Sequence, residues 1–290
     1  MIELNNASKF NGTIVIPSDK SISHRSALLN SIAQGKASIN NYSNGQDCLS
    51  TLDVLKKLGV NIDIENKGDF LNLEITGNGF EGLSKPESFL DAGNSGTTTR
   101  LISGILSTLH FETTLTGDSS LTSRPMKRII DPLSLMGANI DSKNNMAPLT
   151  FKPSTLSGIN YNMNISSAQV KSCIMLAALN SSGSTFITQP SLSRDHTERM
   201  LEGMGANIDL DGLNISIKPS KLNSIDLTIP GDISSASFWI VAALIHPNSN
   251  VLLKNVGMNP LRTGVIDVLK SMGGNISIEN KREEANEPVA

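Results

Sequence analysis

Pro17-Ser18-Asp19-Lys20-Ser21-Ile22-Ser23-His24-Arg25 decides how the rest of the chain is read. An apolar, strand-like run, Thr13-Ile14-Val15-Ile16, stops at Pro17, and Ser26-Ala27-Leu28-Leu29-Asn30-Ser31-Ile32-Ala33 continues as helix up to Gly35. Pro and Gly thus bracket a strand–turn–helix unit. Lys20 and Arg25 do not share one strict helical face. With Lys20 at the helix start, both still reach the space beyond the N-terminus. Exposed N–H groups and the positive end of the helix dipole attract an anion there by about 0.3–1 kcal/mol. Charge-assisted bonds from Lys and Arg add roughly 1.5–3 kcal/mol each. A phosphate or carboxylate suits such a place. From these residues alone, an ordinary capped helix with a solvated basic start fits equally well.

Outward from this unit the chain repeats itself. Leu58-Gly59-Val60-Asn61-Ile62 recurs as Met136-Gly137-Ala138-Asn139-Ile140, Met204-Gly205-Ala206-Asn207-Ile208 and Met272-Gly273-Gly274-Asn275-Ile276, about 70 residues apart. Each copy follows an amphipathic helix (Asp47–Leu58, Pro125–Met136, Asp195–Met204, Pro260–Met272). Its Gly is the expected C-cap, and its Asn-Ile step is expected to start a strand. A more apolar helix precedes each of these: Ser21–Ala33, Gly96–Leu109, Ser167–Leu179 and Ser235–Ile245. Ala177-Ala178-Leu179 and Ile240-Val241-Ala242-Ala243-Leu244-Ile245 are apolar nearly all round, which predicts burial. Every one of these inner helices opens on small polar residues, so several parallel N-termini can converge and offer unsatisfied N–H groups to a multiply charged anion. Ser, Thr and Asn as plain N-caps account for any single start.

The totals narrow the class. The chain has 290 residues, room for two domains, with 38% hydrophobic and 18% charged residues. A net charge of −3 with two Tyr and one Trp argues against a nucleic-acid surface. Cys48 and Cys173 make no disulfide framework and are expected to be free thiols in a reducing compartment. The longest apolar run, Phe238 to Ile245, is too short to span a bilayer, and Met1-Ile2-Glu3-Leu4 does not begin a targeting peptide. A cytoplasmic monomer is expected, without nucleic-acid or membrane partners. His24, His110, His196 and His246 are scattered with no metal-ligand spacing, so neither a metal nor another cofactor is expected.

Pro-x-Asp-Lys-Ser-Ile-Ser-His-Arg resembles the signature of the 3-phosphoshikimate 1-carboxyvinyltransferase (EPSP synthase) family, which usually has Gly where this chain has Ser18. Further stretches are similar to that family: Gly93-Asn94-Ser95-Gly96-Thr97, Arg124-Pro125-Met126, Ser167-Ala168-Gln169-Val170-Lys171-Ser172, Arg194-Asp195-His196-Thr197-Glu198 and Pro230-Gly231-Asp232-Ile233-Ser234-Ser235-Ala236. The resemblance implies an inside-out α/β barrel built of repeated units. Residues 18–228 would form one complete domain of three units, and 1–17 with 229–290 part of a second, with a hinge at Pro230 and Gly231. It implies transfer of the enolpyruvyl group of phosphoenolpyruvate to shikimate 3-phosphate. Shikimate 3-phosphate would meet Lys20, Ser21, Arg25, Ser167, Ala168, Gln169 and Arg194. Phosphoenolpyruvate would meet Lys20, Gly96, Arg124 and Gln169, and Lys20, shared by both, would be the catalytic residue. Lys171 is expected to be structural, Lys127 and Arg128 solvated, and Asp195 an N-cap.

Asn280 to Ala290 reads as a charged, irregular end, where the family would continue into two more units carrying the proton-transfer carboxylates. The expectation is a chain that stops short, with its activity in question. Two other readings stay open. The sister transferase acting on a UDP-N-acetylhexosamine would want Lys-Asn at the start and a reactive loop Cys, whereas Ser21 follows Lys20 and both Cys lie in helical runs. A non-catalytic anion-binding remnant is the other.

Overall fold

The computed structural model describes residues 10–290. A leading strand β1 (Asn11–Val15) enters the first unit: inner helix α1 (Lys20–Ser31), strand β2 (Ala33–Ser43), outer helix α2 (Gln46–Lys57) and hairpin β3–β4 (Asn61–Asn66, Phe70–Asn78). The second unit runs β5 (Leu90–Asp91), α3 (Gly96–Leu106), β6 (Thr113–Thr116), a short α4 (Ser119–Thr122), α5 (Lys127–Leu135) and β7–β8 (Asn139–Lys143, Met146–Lys152). The third runs β9 (Asn160–Asn162), α6 (Ala168–Ala178), β10 (Thr185–Thr188), α7 (His196–Gly203) and β11–β12 (Ile208–Asp211, Asn214–Ile217). After β13 (Leu222–Asn223) and β14 (Leu227–Thr228) come α8 (Ile233–Ile245), β15 (Asn250–Lys254), α9 (Gly264–Ser271) and the hairpin β16–β17 (Arg282–Glu284, Glu287–Val289).

The repeated Gly closes each outer helix identically. Gly59, Gly137, Gly205 and Gly273 all have positive φ, from 82° to 103°. The next amide reaches back to the carbonyl five residues earlier: Val60 to Leu55, Ala138 to Leu133, Ala206 to Leu201 and Gly274 to Leu269. A side chain at that position would be strained, which is why the sequence repeats there. The outer helices start later than expected at two places. α5 begins at Lys127 rather than Pro125, because Arg124 is still bonded to Leu121 in the preceding turn, and α9 begins at Gly264 rather than Pro260.

A single lending rule builds the sheets. In each of the first three units the strand after the inner helix pairs antiparallel with the second hairpin strand, which pairs with the first: β2–β4–β3, β6–β8–β7, β10–β12–β11. Its other edge receives, in parallel, the short strand that leads into the unit, β5 on β6 and β9 on β10. β13 and β14, which follow the third unit, pair parallel with β2 and close the ring. β1 is lent the same way to β15. These sheets and the outer helices surround the inner helices, an inside-out α/β fold. α1 is buried from Ile22 to Ser31 and α6 from Val170 to Ala178. α3 and α6 cross closely: a Cβ on Gly104 would stand 2.2 Å from the Cys173 carbonyl oxygen. The hydroxyls inside α1 satisfy themselves locally, as Ser23 donates to the Asp19 carbonyl (2.8 Å) and Ser26 to that of Ser23 (2.9 Å).

Two hydrophobic clusters result. One gathers side chains from Ile22 to Ile229; the other is small, centred on Ile16, Ile233, Ala236, Val256 and Ile266. The division at 18–228 expected from the sequence runs between them except at Ile229, which packs in the first, and we propose it as a domain boundary; residues 1–9 of the outer segment lie outside the described residues. Three expectations fail in the fourth unit. α8, expected to be buried, leaves Phe238 77% and Ile245 78% exposed, because the small second cluster takes up Ile233, Ala236 and part of Ile240 and leaves the rest of the helix uncovered. Asn275-Ile276 starts no strand, since no central strand is there to receive it. The end thought irregular folds as β16–β17, held to the second cluster by Val256 and Met258. Among the described residues no helix is long and apolar enough to cross a membrane.

Candidate functional site

The starts of α1, α3 and α6 are tied together by their own side chains. Ser95 and Ser167 cap α3 and α6, accepting from the amides of Thr98 and Val170, and Asp19 caps α1 by accepting from Ile22 (3.0 Å). Gln169 of α6 donates to Thr97 of α3 (3.0 Å) and accepts from Arg100 (2.9 Å). Arg25 of α1 donates to Ser172 of α6 (3.1 Å) and to Thr197 of α7 (2.6 Å). Arg194, just ahead of α7, donates to Ser21 (3.3 Å). Thr51 of α2 bridges His24 and Thr98, 2.7 Å from each. Residues far apart in the chain thus meet where several helix N-termini end.

Positive charge gathers at the same place. Lys20 is half exposed and paired with Asp47 at the start of α2. A pair so open exchanges cheaply for a better anion. Arg124 is held by the Asn94 side chain and by Ser120 (3.0 Å). A Cβ placed on Gly96 would lie 2.9 Å from an Arg100 terminal nitrogen and 3.2 Å from one of Arg124, so two guanidinium groups flank the space that this glycine leaves empty. Burial, then Arg124 and Arg128, lower the Arg100 pKa, the mark of a crowded cationic patch. Burial likewise lowers Arg25 to about 10, still charged at neutral pH. Its guanidinium spends three donors on Ser21, Thr197 and Ser172, leaving others for a ligand.

Lys171 points elsewhere: it is buried against Glu198 and donates to the Ser193 carbonyl (3.2 Å). Asp195 occupies the cap position of α7 but makes no cap bond. Its carboxylate instead accepts from Arg199 (2.9 Å) and from Asn259 (2.6 Å). The two crossings between the clusters run side by side, Asp19 donating its amide to Pro230 and Asp232 to Pro17, both at 2.8 Å. A cleft of about 340 Å³ lined by Ile32, Gln34, Phe80, Leu179 and Leu222 lies at the far ends of α1 and α6, away from this charge.

The family model described as EPSP synthase (3-phosphoshikimate 1-carboxyvinyltransferase) matches residues 4–289. The chain belongs to that family. It is 49% identical over 286 residues to the 3-phosphoshikimate 1-carboxyvinyltransferase of Bacillus thuringiensis (strain Al Hakam), across 98% of this chain and 66% of that relative. The same-named protein of Bacillus cereus (strain G9842) is 49% identical over 283 residues, across 97% and 65%. The solved EPSP synthase structure from Acinetobacter baumannii has a TM-score of 0.91 at 43% identity, covering 97% of this chain and 63% of that one. The chain therefore spans just under two thirds of the length of the curated relatives it matches.

All the residues that the EPSP synthase resemblance singled out stand at or beside the joined helix starts: Lys20, Ser21 and Arg25 on α1, Gly96 on α3, Ser167, Ala168 and Gln169 at α6, Arg124 and Arg194 in the loops beside them. Sequence reasoning missed Arg100. Its signal was there, four residues after Gly96 and so on the same helical face. Thr197 and Ser172, the hydroxyls that hold Arg25, gave no such signal.

Proposed function

We propose that these helix starts bind phosphoenolpyruvate and shikimate 3-phosphate side by side and that the protein transfers the enolpyruvyl group between them, giving 5-enolpyruvylshikimate 3-phosphate and phosphate. One observation carries the reading: Arg25 and Gln169 tie three inner-helix N-termini into one place, and Lys20, Arg124 and Arg194 surround it. Two phosphates and two carboxylates repel one another in water. Fixed N–H groups and guanidinium groups offset that repulsion without reorganising. Lys20, Ser21, Arg25, Ser167, the Ala168 amide, Gln169 and Arg194 would hold shikimate 3-phosphate. Gly96 and Arg124, with Lys20 and Gln169, would hold phosphoenolpyruvate, and Arg100 joins them.

The chemistry is addition followed by elimination. A proton added to the methylene carbon leaves positive charge on the neighbouring carbon, and the shikimate hydroxyl attacks there and loses its proton. Loss of phosphate and of a methyl proton then restores the double bond. Lys20, placed between the two anions, is the proposed catalytic residue. The site works by position and charge, needs no metal or organic cofactor, and suits a cytoplasmic monomer acting on small molecules.

A phosphate-release assay with both substrates is the test, and release dependent on shikimate 3-phosphate is expected. Binding of both substrates without turnover would reduce the protein to an anion-binding unit. Release from phosphoenolpyruvate with a UDP-N-acetylhexosamine as acceptor but not with shikimate 3-phosphate would move it to the sister transferases. No binding at all would sink the site.

A further inference from the structure

The inner helices fall into two classes by their caps. α3 and α6 are capped by the neutral Ser95 and Ser167, whereas α1 and α8 are capped by the carboxylates of Asp19 and Asp232. A carboxylate is a good cap, but it places negative charge where a helix start must attract an anion. Asp19 is also the immediate neighbour of Lys20. An acidic cap at that point works against the site unless something cancels it.

Arg262 bridges the two and offsets one of their two charges. It comes from the loop ahead of α9, and its guanidinium binds Asp19 with one terminal nitrogen and Asp232 (2.7 Å) and Ser234 (2.7 Å) with the other. The Arg262 and Asp19 side chains are 6% and 2% exposed, so water does little to screen them. The loop is itself pinned: Asn259 accepts from the Leu261 amide (2.9 Å) and donates to Asp195 (2.6 Å) and, at 3.3 Å, to the buried Glu287. The only two acidic caps among the four inner helices are the two that share this arginine.

We infer that Arg262 is a positioning residue for the anion site: by clamping the Asp19 and Asp232 caps and offsetting one of their two charges, it lets the start of α1 attract a phosphate. The inference rests on the reading that this start binds an anion. Arg262 acts through Asp19, since its terminal nitrogens are engaged by Asp19, Asp232 and Ser234. The field at Lys20 therefore depends on a loop from the second cluster, across the crossing of the chain.

The test is calorimetric titration of shikimate 3-phosphate into wild type, Arg262→Lys, Arg262→Gln and the double variant Arg262→Gln/Asp19→Asn, with thermal melting run alongside. Arg262→Gln should bind at least tenfold more weakly. Arg262→Lys, which keeps the charge, should stay within about threefold of wild type. Asn still caps a helix, so the double variant should recover to within about threefold. A purely structural Arg262 predicts the reverse for that variant, which has lost more bonds. Arg262→Gln binding within twofold of wild type overturns the inference, as does a double variant no better than Arg262→Gln or an Arg262→Lys equally weak. Should Arg262→Gln fail to fold, Asp19→Asn alone decides: binding as tight as wild type or tighter supports the inference, and loss beyond threefold overturns it. Absence of binding by wild type would instead refute the site itself.

Discussion

α6 and α8 are close in composition, and the structure encloses one and leaves the other open. Both have serines at or just before their start and run on in apolar residues, Ile, Met, Leu and Ala in α6 and Phe, Trp, Ile, Val, Ala and Leu in α8. α6 is buried along nearly its whole length, whereas α8 is buried only at Ile233 and Ala236. α6 has α3 and α5 against it and the strand β10 behind. α8 rests chiefly on β15, in a sheet whose only other strand among the described residues is the lent β1. An apolar helix is therefore a requirement for neighbours and does not supply them. The pairings β13–β14 to β2, β5 to β6 and β9 to β10 meet that requirement three times, because each extends the sheet behind an inner helix.

The sharpest way to break this contrast is to cut into the enclosed region. Lys171 and Glu198 form an ion pair with side chains 1% and 3% exposed. Lys171→Ala would strand the Glu198 carboxylate, whose pKa burial already pushes up, and should cost about 3–5 kcal/mol in denaturant unfolding. A loss under about 1 kcal/mol would mean that water reaches the pair. Next comes a matched pair of truncations. Ile174→Ala in α6, at 0% exposure, should cost about 2–5 kcal/mol, while Ile245→Ala in α8, at 78%, should stay within about 0.5 kcal/mol. Equal costs would show that α8 is covered in solution.

How much of this was legible in the sequence follows the same divide. The repeat was readable because Gly59, Gly137, Gly205 and Gly273 meet a backbone demand that only glycine meets cheaply. The site was readable where helix starts carry charge, at Lys20, Arg25, Arg124 and Arg194. What stayed hidden depends on partners far away in the chain. Thr197 supports Arg25 from 172 positions on, and Arg262 reaches Asp19 across 243. The Asp195 carboxylate looked like a cap because caps are local, yet its partner Asn259 lies 64 residues on, in the other cluster. α8 was misjudged for that reason: burial is a property of the assembly, and periodicity reports only one helix.

His24 offers a milder test from inside the closed region. It is wholly buried, shares a hydrogen bond with Thr51, and its Nε2 finds no partner among the described residues. Burial, then Lys20 and Arg25, lower its pKa from 6.5 to about 3. The folded protein therefore keeps His24 neutral while the unfolded chain takes up a proton near 6.5. Its contribution is complete above that pH and is lost as the pH falls toward 3. Between pH 6.5 and pH 5 this one group should remove roughly 1.5 kcal/mol of stability, read as a falling urea midpoint. His24→Asn should flatten that part of the profile. An unchanged slope in the variant would show that the ring is hydrated and titrates normally.

The smallest expected effect shows that enclosure, and not membership of the larger cluster, sets the cost. Lys127 stands three residues after Arg124, and in the sequence the two charges look alike. Lys127 is bonded only to Asp131, four residues along the same helix, with 63% of its side chain exposed (2.7 Å). Arg124 is fixed by Asn94 and Ser120 and faces the space above Gly96. Exposed pairs of the first kind contribute about 0.3–0.5 kcal/mol, because solvent screens them and two long side chains lose rotamer freedom. Lys127→Ala should therefore shift the unfolding free energy by less than about 0.5 kcal/mol and leave phosphoenolpyruvate binding within twofold. Arg124→Ala should lose that binding at least tenfold while moving stability little, since its guanidinium too lies near the surface. Titration of phosphoenolpyruvate into both variants reads the difference directly. Equal losses would mean that the attraction comes from the summed charge of the surface, and then the joined helix starts would have no special hold on the anion.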